Sequence, residues 1–148
     1  MHNAGSEAAF RIVDLDLIVK IATFALSAGA ERFIMVSSVG ASPAAKNFYL
    51  RVKGEAEKAV EQLRFRSLLI MQPSMLLGAR RELRTLELVA QPMMRVAGPL
   101  LIGKWSRFRA IDAGDVATAM YGATRNMRKG VYRYSYAEIR KLVVDSNS

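Results

Sequence analysis

The sequence predicts an α/β protein built on a partial, Rossmann-like, doubly wound parallel sheet that lacks its first βαβ units. Residues 32–37 and 67–71 form short apolar runs without polar alternation, which is typical of strands covered on both faces. Segments with helical apolar periodicity alternate with these runs over short connections. About half of the 148 residues are hydrophobic, so we expect a single domain that spans residues 1–148.

The first half of the chain supplies the clearest elements. Residues 14–28 place apolar side chains on one helix face, with Asp14 as the predicted N-cap and Gly29 as the predicted C-cap. The order that follows is a strand at 32–37, a loop at 38–46, a helix from about 47 to 63 and a strand at 67–71.

The apolar periodicity is less regular after Gly78, but helical segments still alternate with strands. The predicted elements are a helix at 82–97 interrupted by Pro92, a short strand at 108–111, a helix at 114–123, a strand at 131–135 and a helix at 136–143.

Composition excludes several kinds of chemistry. The chain has no cysteine, and its one histidine is His2, near the N-terminus, so thiol and imidazole mechanisms and most zinc sites are excluded. No apolar run approaches the roughly 18 residues of a membrane span, and no secretory signal is visible. We therefore predict a cytoplasmic protein that has no membrane partner and binds no metal.

Positive charge favours anionic partners. The net charge is +9, with 9 basic against 7 acidic residues in 1–78 and 13 against 6 in 79–148. Such an excess suits cofactors that carry phosphate groups. The basic residues are scattered, however, and no helix-turn-helix or RNA-binding aromatic motif is present, which argues against a nucleic-acid partner.

Tyr49 and Lys53 are the strongest candidates for chemistry. They lie four residues apart on a predicted helix and therefore share one face. A tyrosine has an ordinary pKa near 10, and a neighbouring ammonium favours its charged form. Ser37 and Ser38 end the preceding strand, where ligands of open α/β sheets bind, and either hydroxyl could hold a substrate oxygen.

Two structural interpretations compete with this one. Lys53 is also four residues from Glu57, and Arg51 four from Glu55, so these charges could form surface pairs worth a few tenths of a kcal/mol. Tyr49 could equally be an aromatic residue at an interface.

Several segments resemble the atypical short-chain dehydrogenases, especially the small NAD(P)-binding proteins related to the Tat-interacting oxidoreductase. These are GSEAAFRIVDLD (5–16), FIMVSSVGA (33–41), NFYLRVKGE (47–55) and QPSMLLG (72–78), with a thinner match at AIDAGDVA (110–117). The resemblance is dense over residues 5–84. It implies a nicotinamide cofactor, NADP or NAD with NADP slightly favoured, and a small-molecule substrate.

The resemblance also implies roles for individual residues. Tyr49 would be the catalytic acid/base, Lys53 would assist it and bind the nicotinamide ribose, and Ser38 would polarise the substrate oxygen, with Ser37 as the alternative. Ser37, Pro73, Ser74 and Arg84 would lie near the cofactor, although Arg84 could equally be a plain surface residue. Gln72 departs from the arginine that relatives usually have before this proline.

The glycine-rich cofactor loop of this superfamily is missing from the sequence. None of the ten glycines forms Gly-x-x-Gly-x-x-Gly after a strand. We therefore expect an N-terminally truncated form that lacks about two βαβ units and is inactive alone. An exposed sheet edge would then favour association, so a homo-oligomer is one expected outcome.

Two functions remain open from the sequence. One is an NAD(P)-dependent oxidoreductase that transfers hydride between nicotinamide and a carbonyl or alcohol. The other is a non-catalytic NAD(P)-binding regulatory or assembly protein. The substrate pocket is expected among apolar residues that could equally be ordinary core: Met93, Met94, Leu100, Leu101, Trp105 and Phe108.

Overall fold

The computed structural model describes residues 4–74, 76–77, 111–125 and 128–146. The helices are α1 (Ala4–Arg11), a π-helical turn (Ile12–Leu17), α2 (Ile18–Ser27), α3 (Phe48–Gln62), α4 (Ala113–Arg125) and α5 (Tyr136–Ser146). The strands are β1 (Arg32–Val36), β2 (Ser67–Met71), β3 (Leu76–Leu77), β4 (Ile111–Asp112) and β5 (Gly130–Tyr134).

The main sheet is parallel and has the strand order β1-β2-β5. Leu68 of β2 is in register with Phe33 of β1 and with Val131 of β5. A separate parallel pair is formed by β3 and β4. Because parallel neighbours require crossover connections, the intervening helices lie across the sheet. This arrangement confirms the predicted partial Rossmann-like α/β fold.

Helices cover both faces of the sheet, as a doubly wound fold requires. The α2–α3 face has a buried cluster made of Ala22, Met35, Ala56, Val60, Phe65, Leu68 and Ile70. The α4–α5 face has a second cluster made of Leu69, Met71, Ile111, Val116, Ala119, Ala123, Ile139 and Val143. Successive side chains of β2 alternate between the two clusters, because side chains of a strand point to opposite faces in turn.

The two strands that were predicted to be covered on both faces differ in burial. All five residues of β2 are buried, which confirms the prediction. In β1 only Met35 is buried, but Phe33 packs with it on the α2–α3 face while Ile34 and Val36 pack on the α4–α5 face, so the prediction is confirmed in part for that strand. Among the described strands, β1 pairs with β2 alone, and a strand at the edge of a sheet has a neighbour on one side only.

The first helix begins earlier than the sequence pattern indicates. Five of the eight residues of α1 (three Ala, one Glu and one Arg) are good helix formers, and the helix is present from Ala4 and runs through the π-helical turn into α2. The prediction of Asp14 as an N-cap is therefore wrong, because Asp14 lies inside the helix. Gly29 follows the helix with φ of 88°, a conformation that glycine adopts without strain, as predicted for its C-terminal end.

The remaining predicted elements agree with the structure where it describes them. The loop at 38–46, helices α3, α4 and α5 and strand β5 are all present, with ends within about three residues of the predicted ones. The predicted helix at 82–97 lies outside the described residues, as does the predicted strand at 108–111 apart from Ile111. Among the described helices, not one has the length and apolar character that crossing a membrane requires.

Candidate functional site

The site is built at the carboxyl ends of β1 and β2. The Ser37 N–H donates to the Met71 carbonyl oxygen at 2.7 Å, and the Val39 N–H donates to the Pro73 carbonyl oxygen at 3.0 Å. These bonds continue the parallel pairing beyond the strands. They therefore place the Ser37–Ser38 pair beside Pro73, at the edge where open α/β sheets bind ligands.

Both serines are buried, and one of them has an unsatisfied hydroxyl. The Ser37 Oγ lies out of solvent and has no hydrogen-bond partner among the described residues. Buried polar groups are nearly always hydrogen-bonded, so such an atom marks a place that a ligand or ordered water completes.

Local capping fixes where α3 begins and thus where Tyr49 lies. The Asn47 side chain accepts a hydrogen bond from the Leu50 N–H at 3.1 Å, which is the ordinary N-cap arrangement. The Arg51 guanidinium donates to the carbonyl oxygens of Ala45 and Lys46, which ties the preceding loop to the helix. Tyr49 consequently occupies the first turn of α3.

A close backbone approach joins the serine-bearing loop to α3. The Ser42 N–H donates to the Leu50 carbonyl oxygen at 3.1 Å. Gly54 lies so near this loop that a Cβ atom built on it would overlap the backbone of Ser42. Glycine is required at this position because a backbone neighbour cannot move aside cheaply. The loop after β1 and the helix of Tyr49 and Lys53 are thus held as one unit.

Tyr49 is partly covered by the first helix. The Phe10 ring lies against it with centroids 5.6 Å apart, and Phe10 also contacts Phe48 at 5.8 Å. Tyr49 keeps 43% of its surface exposed, so Phe10 covers it only in part. The Lys53 Nζ lies 6.0 Å from the centroid of the Tyr49 ring, which places the ammonium beside the aromatic ring.

Lys53 is paired with Asp14 across two helices. The distance from the Lys53 Nζ to the Asp14 Oδ1 is 2.6 Å, and the exposed fractions of the two side chains are only 11% and 23%. A second bridge joins Arg11 to Glu55 at 2.8 Å. The alternative of pairs within α3, from Lys53 to Glu57 and from Arg51 to Glu55, is therefore wrong.

The π-helical turn is what carries Asp14. Such turns are rare and occur frequently at functional sites. Here the turn spans Ile12–Leu17, so Asp14 leaves its helix within the wide turn and reaches Lys53 on α3. The packing of Phe10 and the bridge from Arg11 come from the preceding helical turn, and together these contacts fix the first helix against α3.

A buried carboxylate lies on the same face of α3, further along the helix. Glu57 accepts from the Gln72 Nε2 at 2.9 Å and from the Arg133 Nε at 3.2 Å, while Arg133 also pairs with Glu61 at 2.7 Å. Burial lowers the pKa of the Arg133 guanidinium, but its bonds to Glu61 and Glu57 outweigh this, so that pKa is raised above its ordinary value. This network lines a cleft of about 320 Å³ next to Ser42 and the amide of Gln72.

Most of the predicted site residues fall in the described part of the chain. Tyr49 and Lys53 lie on α3, Ser37 and Ser38 follow β1, and Pro73 and Ser74 follow β2. Arg84 lies outside the described residues. Among those described, no group of three His, Asp or Glu side chains could hold a metal ion.

Sequence reasoning missed Phe10 and Asp14. Asp14 was interpreted as a helix cap, although it is four residues before Ile18 and thus shares the apolar face of the helix. A carboxylate on an apolar helix face needs a partner when buried, and that was the available signal. Phe10 gave no signal, because the helix was expected to begin after it.

Comparison with known proteins finds homologues in fungi and animals. The chain is 35% identical over 143 residues to protein FMP52, mitochondrial, of Coccidioides immitis, covering 94% of this chain and 56% of that protein. It is 33% identical over 150 residues to the protein of the same name of Lodderomyces elongisporus, covering 97% and 62%. It is 40% identical over 119 residues to protein HTATIP2 of Rattus norvegicus, covering 80% and 47%.

The alignments limit what can be transferred from these relatives to this chain. No family model matches the chain. The chain spans about half of the length of the curated relatives that it matches. Their activities, substrates and partners therefore reach this chain only as proposals.

The predicted cytoplasmic location is contradicted by these comparisons. The relatives from Coccidioides immitis, Lodderomyces elongisporus and Debaryomyces hansenii are all named as mitochondrial. The prediction rested on the absence of a visible secretory signal and of a membrane span. Neither absence distinguishes the cytoplasm from the inside of an organelle.

Proposed function

We propose that this protein is an NAD(P)-dependent oxidoreductase of the short-chain dehydrogenase type, acting on a carbonyl or alcohol. The observation that carries the proposal is that α3, with Tyr49 and Lys53, is held through Ser42 to the loop that begins at the buried Ser37–Ser38 pair. The homologues support it, because FMP52 and HTATIP2 proteins belong to an NAD(P)-binding, Rossmann-like group.

Each side chain has a defined part in the proposed reaction. The Tyr49 phenol donates a proton to the substrate oxygen during reduction and takes it back during oxidation. The Lys53 ammonium stabilises the phenolate left behind, because an opposite charge within a few ångströms favours the ionised form. The Ser38 hydroxyl donates a hydrogen bond to the substrate oxygen, and Ser37 is the alternative donor.

The residues at this edge fit the nicotinamide end of a cofactor. The orphaned Ser37 Oγ and the ammonium of Lys53 are donors suited to an amide or ribose oxygen. Pro73 and Ser74 border the same edge, and Arg84 is proposed as a further contact. When bound, the nicotinamide supplies or accepts the hydride. The +9 charge suits a cofactor with an extra phosphate, so NADP is slightly favoured over NAD.

Asp14 holds Lys53 in place in this proposal. A lysine on a flexible stem loses rotamer entropy when it is fixed, and the short bond to Asp14 keeps the ammonium next to Tyr49. The Asp14 carboxylate also partly neutralises the positive charge of the Lys53 ammonium.

This neutralisation favours a second candidate, a non-catalytic NAD(P)-binding protein with a regulatory or assembly role. In that case the ammonium would bind the cofactor without activating Tyr49.

One experiment tests the proposal. Thermal unfolding of the 148-residue chain is followed with and without NADPH or NADH, and cofactor consumption is measured with a panel of aldehydes, ketones and alcohols. We expect NADPH to raise the melting temperature and Tyr49→Phe to keep that shift. Because the chain without a glycine-rich loop is expected to be inactive alone, any turnover should be low, and Tyr49→Phe should lower whatever turnover is measured at least about a hundredfold. Tyr121→Phe, on α4, is the matched control. An absent thermal shift with both cofactors contradicts the proposal.

The two candidate functions give different results in the same experiment. Consumption of NADPH with any compound of the panel, lost in Tyr49→Phe, supports the oxidoreductase. A thermal shift without consumption is the result expected of the non-catalytic protein, and equally of an oxidoreductase that is inactive without a glycine-rich loop. Consumption that is unchanged by Tyr49→Phe removes Tyr49 from the mechanism.

The names of the fungal relatives also suggest a mitochondrial location, which we propose for this chain. Fractionation of cells that express the protein with a C-terminal tag tests this. Recovery of the tag outside the mitochondrial fraction contradicts the proposal.

A further inference from the structure

The chain leaves β2 through segment 72–74, at the edge of the sheet where the candidate site lies. Two backbone hydrogen bonds hold this segment in the plane of the sheet. On the β5 side, the Gln72 N–H donates to the Tyr134 carbonyl oxygen at 2.8 Å. On the β1 side, the Pro73 carbonyl oxygen accepts from the Val39 N–H at 3.0 Å. Because such bonds run from strand to strand, they fix the segment sideways and not in its height above the sheet.

The Gln72 side chain supplies a bond in the direction perpendicular to the sheet. Side chains of β2 alternate between the two faces, with Ile70 in the α2–α3 cluster and Met71 in the α4–α5 cluster. The next residue, Gln72, therefore points towards α3, where its Nε2 donates to the Glu57 Oε1 at 2.9 Å. The height of segment 72–74 above the sheet thus depends on the position of Glu57.

Glu57 lies on the same face of α3 as the candidate reactive residues. Tyr49, Lys53 and Glu57 follow one another at intervals of four residues. The Glu57 Cα is one helical turn beyond that of Lys53, about 6 Å along the helix axis. Since a helix is a stiff spacer over this length, the bond from Glu57 to Gln72 also fixes the separation between Lys53 and segment 72–74.

The burial of Glu57 indicates a role other than stability. Only 5% of its side chain is exposed, and an ionised carboxylate loses its hydration in such a place. Gln72 and Arg133 compensate for this loss with one hydrogen bond each. Buried charges can often be replaced by apolar side chains of similar volume at little or no loss of stability, so stability alone does not account for this carboxylate.

We propose that Glu57 and Gln72 are positioning residues of the cofactor site. The Glu57 carboxylate, acting through the Gln72 amide, holds segment 72–74 at a set distance from Lys53. This inference rests on the proposed function, in which Lys53 and Pro73 border the nicotinamide end of the cofactor. Glu57 itself does not touch the cofactor, and its effect on binding passes through Gln72.

Hydrogen exchange of backbone amides, measured by NMR on the 148-residue chain without cofactor, tests the tie itself. The Val39 N–H reports on segment 72–74, because its acceptor is the Pro73 carbonyl oxygen, and the Ser37 N–H, which donates to Met71, is the internal reference. We expect Gln72→Leu to speed exchange at Val39 at least about fivefold and to leave Ser37 within about twofold. No change at Val39, or an equal change at both amides, would overturn the proposal.

The dissociation constant of NADPH, measured by fluorescence titration, tests the consequence for binding. We expect Gln72→Leu to raise it at least about fivefold, and Gln72→Arg, which keeps a donor for Glu57, to leave it within about twofold of the wild-type value. Arg133→Met is the matched control, because it removes the other partner of Glu57 and leaves Gln72 in place. It should lower the melting temperature without changing NADPH affinity more than about twofold. An equal loss of affinity in Arg133→Met and Gln72→Leu would reduce the effect to lost stability and overturn the proposal.

A double-mutant cycle tests whether the two residues act through one bond. Substitutions at two residues that share a single interaction are not additive. We therefore expect Glu57→Leu, Gln72→Leu and the double variant to raise the dissociation constant of NADPH by the same factor. A double variant that multiplies the two single effects would mean that the residues act separately, against the proposal. Circular dichroism checks the fold of each variant, and if Glu57→Leu does not fold, Gln72→Leu and Gln72→Arg decide alone.

The two kinds of measurement separate this inference from the proposed function. A wild-type chain that does not bind NADPH contradicts the proposed function, and the exchange rate at Val39 then decides whether Glu57 positions segment 72–74. A wild-type chain that binds NADPH, with the same affinity in Gln72→Leu, leaves the proposed function intact and overturns the positioning role.

Discussion

The two faces of the sheet are packed by different means. On the α4–α5 face a purely apolar cluster is accompanied by one exposed ion pair, Arg140–Asp115 at 2.6 Å. On the α2–α3 face the apolar cluster is bordered by ion pairs in which one or both partners are largely buried: Lys53–Asp14 and Glu57–Arg133. The candidate chemistry lies on the second face, where neighbouring charges fix polar side chains in place.

The difference extends to the closest helix contacts. Gly54 of α3 is pressed against the backbone of Ser42, whereas Gly122 of α4 is pressed against the side-chain hydroxyl of Ser146. A hydroxyl can rotate away and a backbone segment cannot. The α2–α3 face is therefore less tolerant of substitution, because it is held by backbone contacts and ion pairs as well as by apolar packing.

The largest expected effect on stability comes from adding a methyl group at Gly54, the tightest backbone contact described above. Gly54→Ala should reduce the free energy of unfolding by about 3 kcal/mol, because the new methyl group overlaps the Ser42 backbone and displaces the loop from α3. Urea denaturation followed by circular dichroism measures this change.

Gly122→Ala is the control on the other face. It should alter the free energy of unfolding by less than about 1 kcal/mol, because the Ser146 hydroxyl moves and alanine favours the helix. Equal losses in the two variants would show that both contacts are equally rigid.

An intermediate effect is expected from removing the partner of a buried carboxylate. Arg133→Met should reduce the free energy of unfolding by about 1–3 kcal/mol, because Glu57 loses its cationic partner while remaining buried. The Gln72 amide still donates to Glu57 and limits the loss.

Arg140→Met removes the cation of the exposed pair on the α4–α5 face. It should cost at most about 1 kcal/mol, because exposed ion pairs contribute little. Thermal and urea unfolding of the two variants side by side give the comparison. If Arg140→Met lowers the free energy of unfolding more than Arg133→Met does, the inference that ion pairs stabilise mainly the α2–α3 face is wrong.

The smallest expected effect is at the site itself. Asp14→Asn keeps the size of the side chain but removes the charge facing Lys53, and it should cost about 1 kcal/mol. Glu55→Gln changes the more exposed bridge to Arg11 and should cost less than about 0.5 kcal/mol. Melting temperatures of the two variants, measured side by side, show which change destabilises the protein more. A larger loss in Glu55→Gln than in Asp14→Asn would mean that Asp14 is not the main support of Lys53.

The local pattern of apolar residues predicted the central elements of the fold, β2 and α3, correctly. The strand β2 and the helix α3 follow from an unbroken apolar run and from helical spacing, both of which are properties of adjacent residues. The alternation of helix and strand along the sequence then predicted a parallel sheet. The partial burial of β1 was not predicted, because burial depends on which strands lie beside it.

The site was predicted in part for the same reason. Tyr49, Lys53 and the two serines are recognisable from spacing along one segment. The partners of Lys53 and Glu57 are Asp14 and Arg133, which come from distant parts of the sequence. Neither pair was expected, because a contact between elements depends on how they dock. The π-helical turn that carries Asp14 has no apolar period of its own.

The position of β5 has a consequence for how the chain folds. Its sheet partner is β2, and the connection between them runs from residue 72 to residue 129. In contrast, β1 and β2 are separated by a single loop and helix, so their pairing closes a shorter segment of chain. Because closing a longer segment costs more entropy, we expect β1, α3 and β2 to associate first and β5 to join the sheet late.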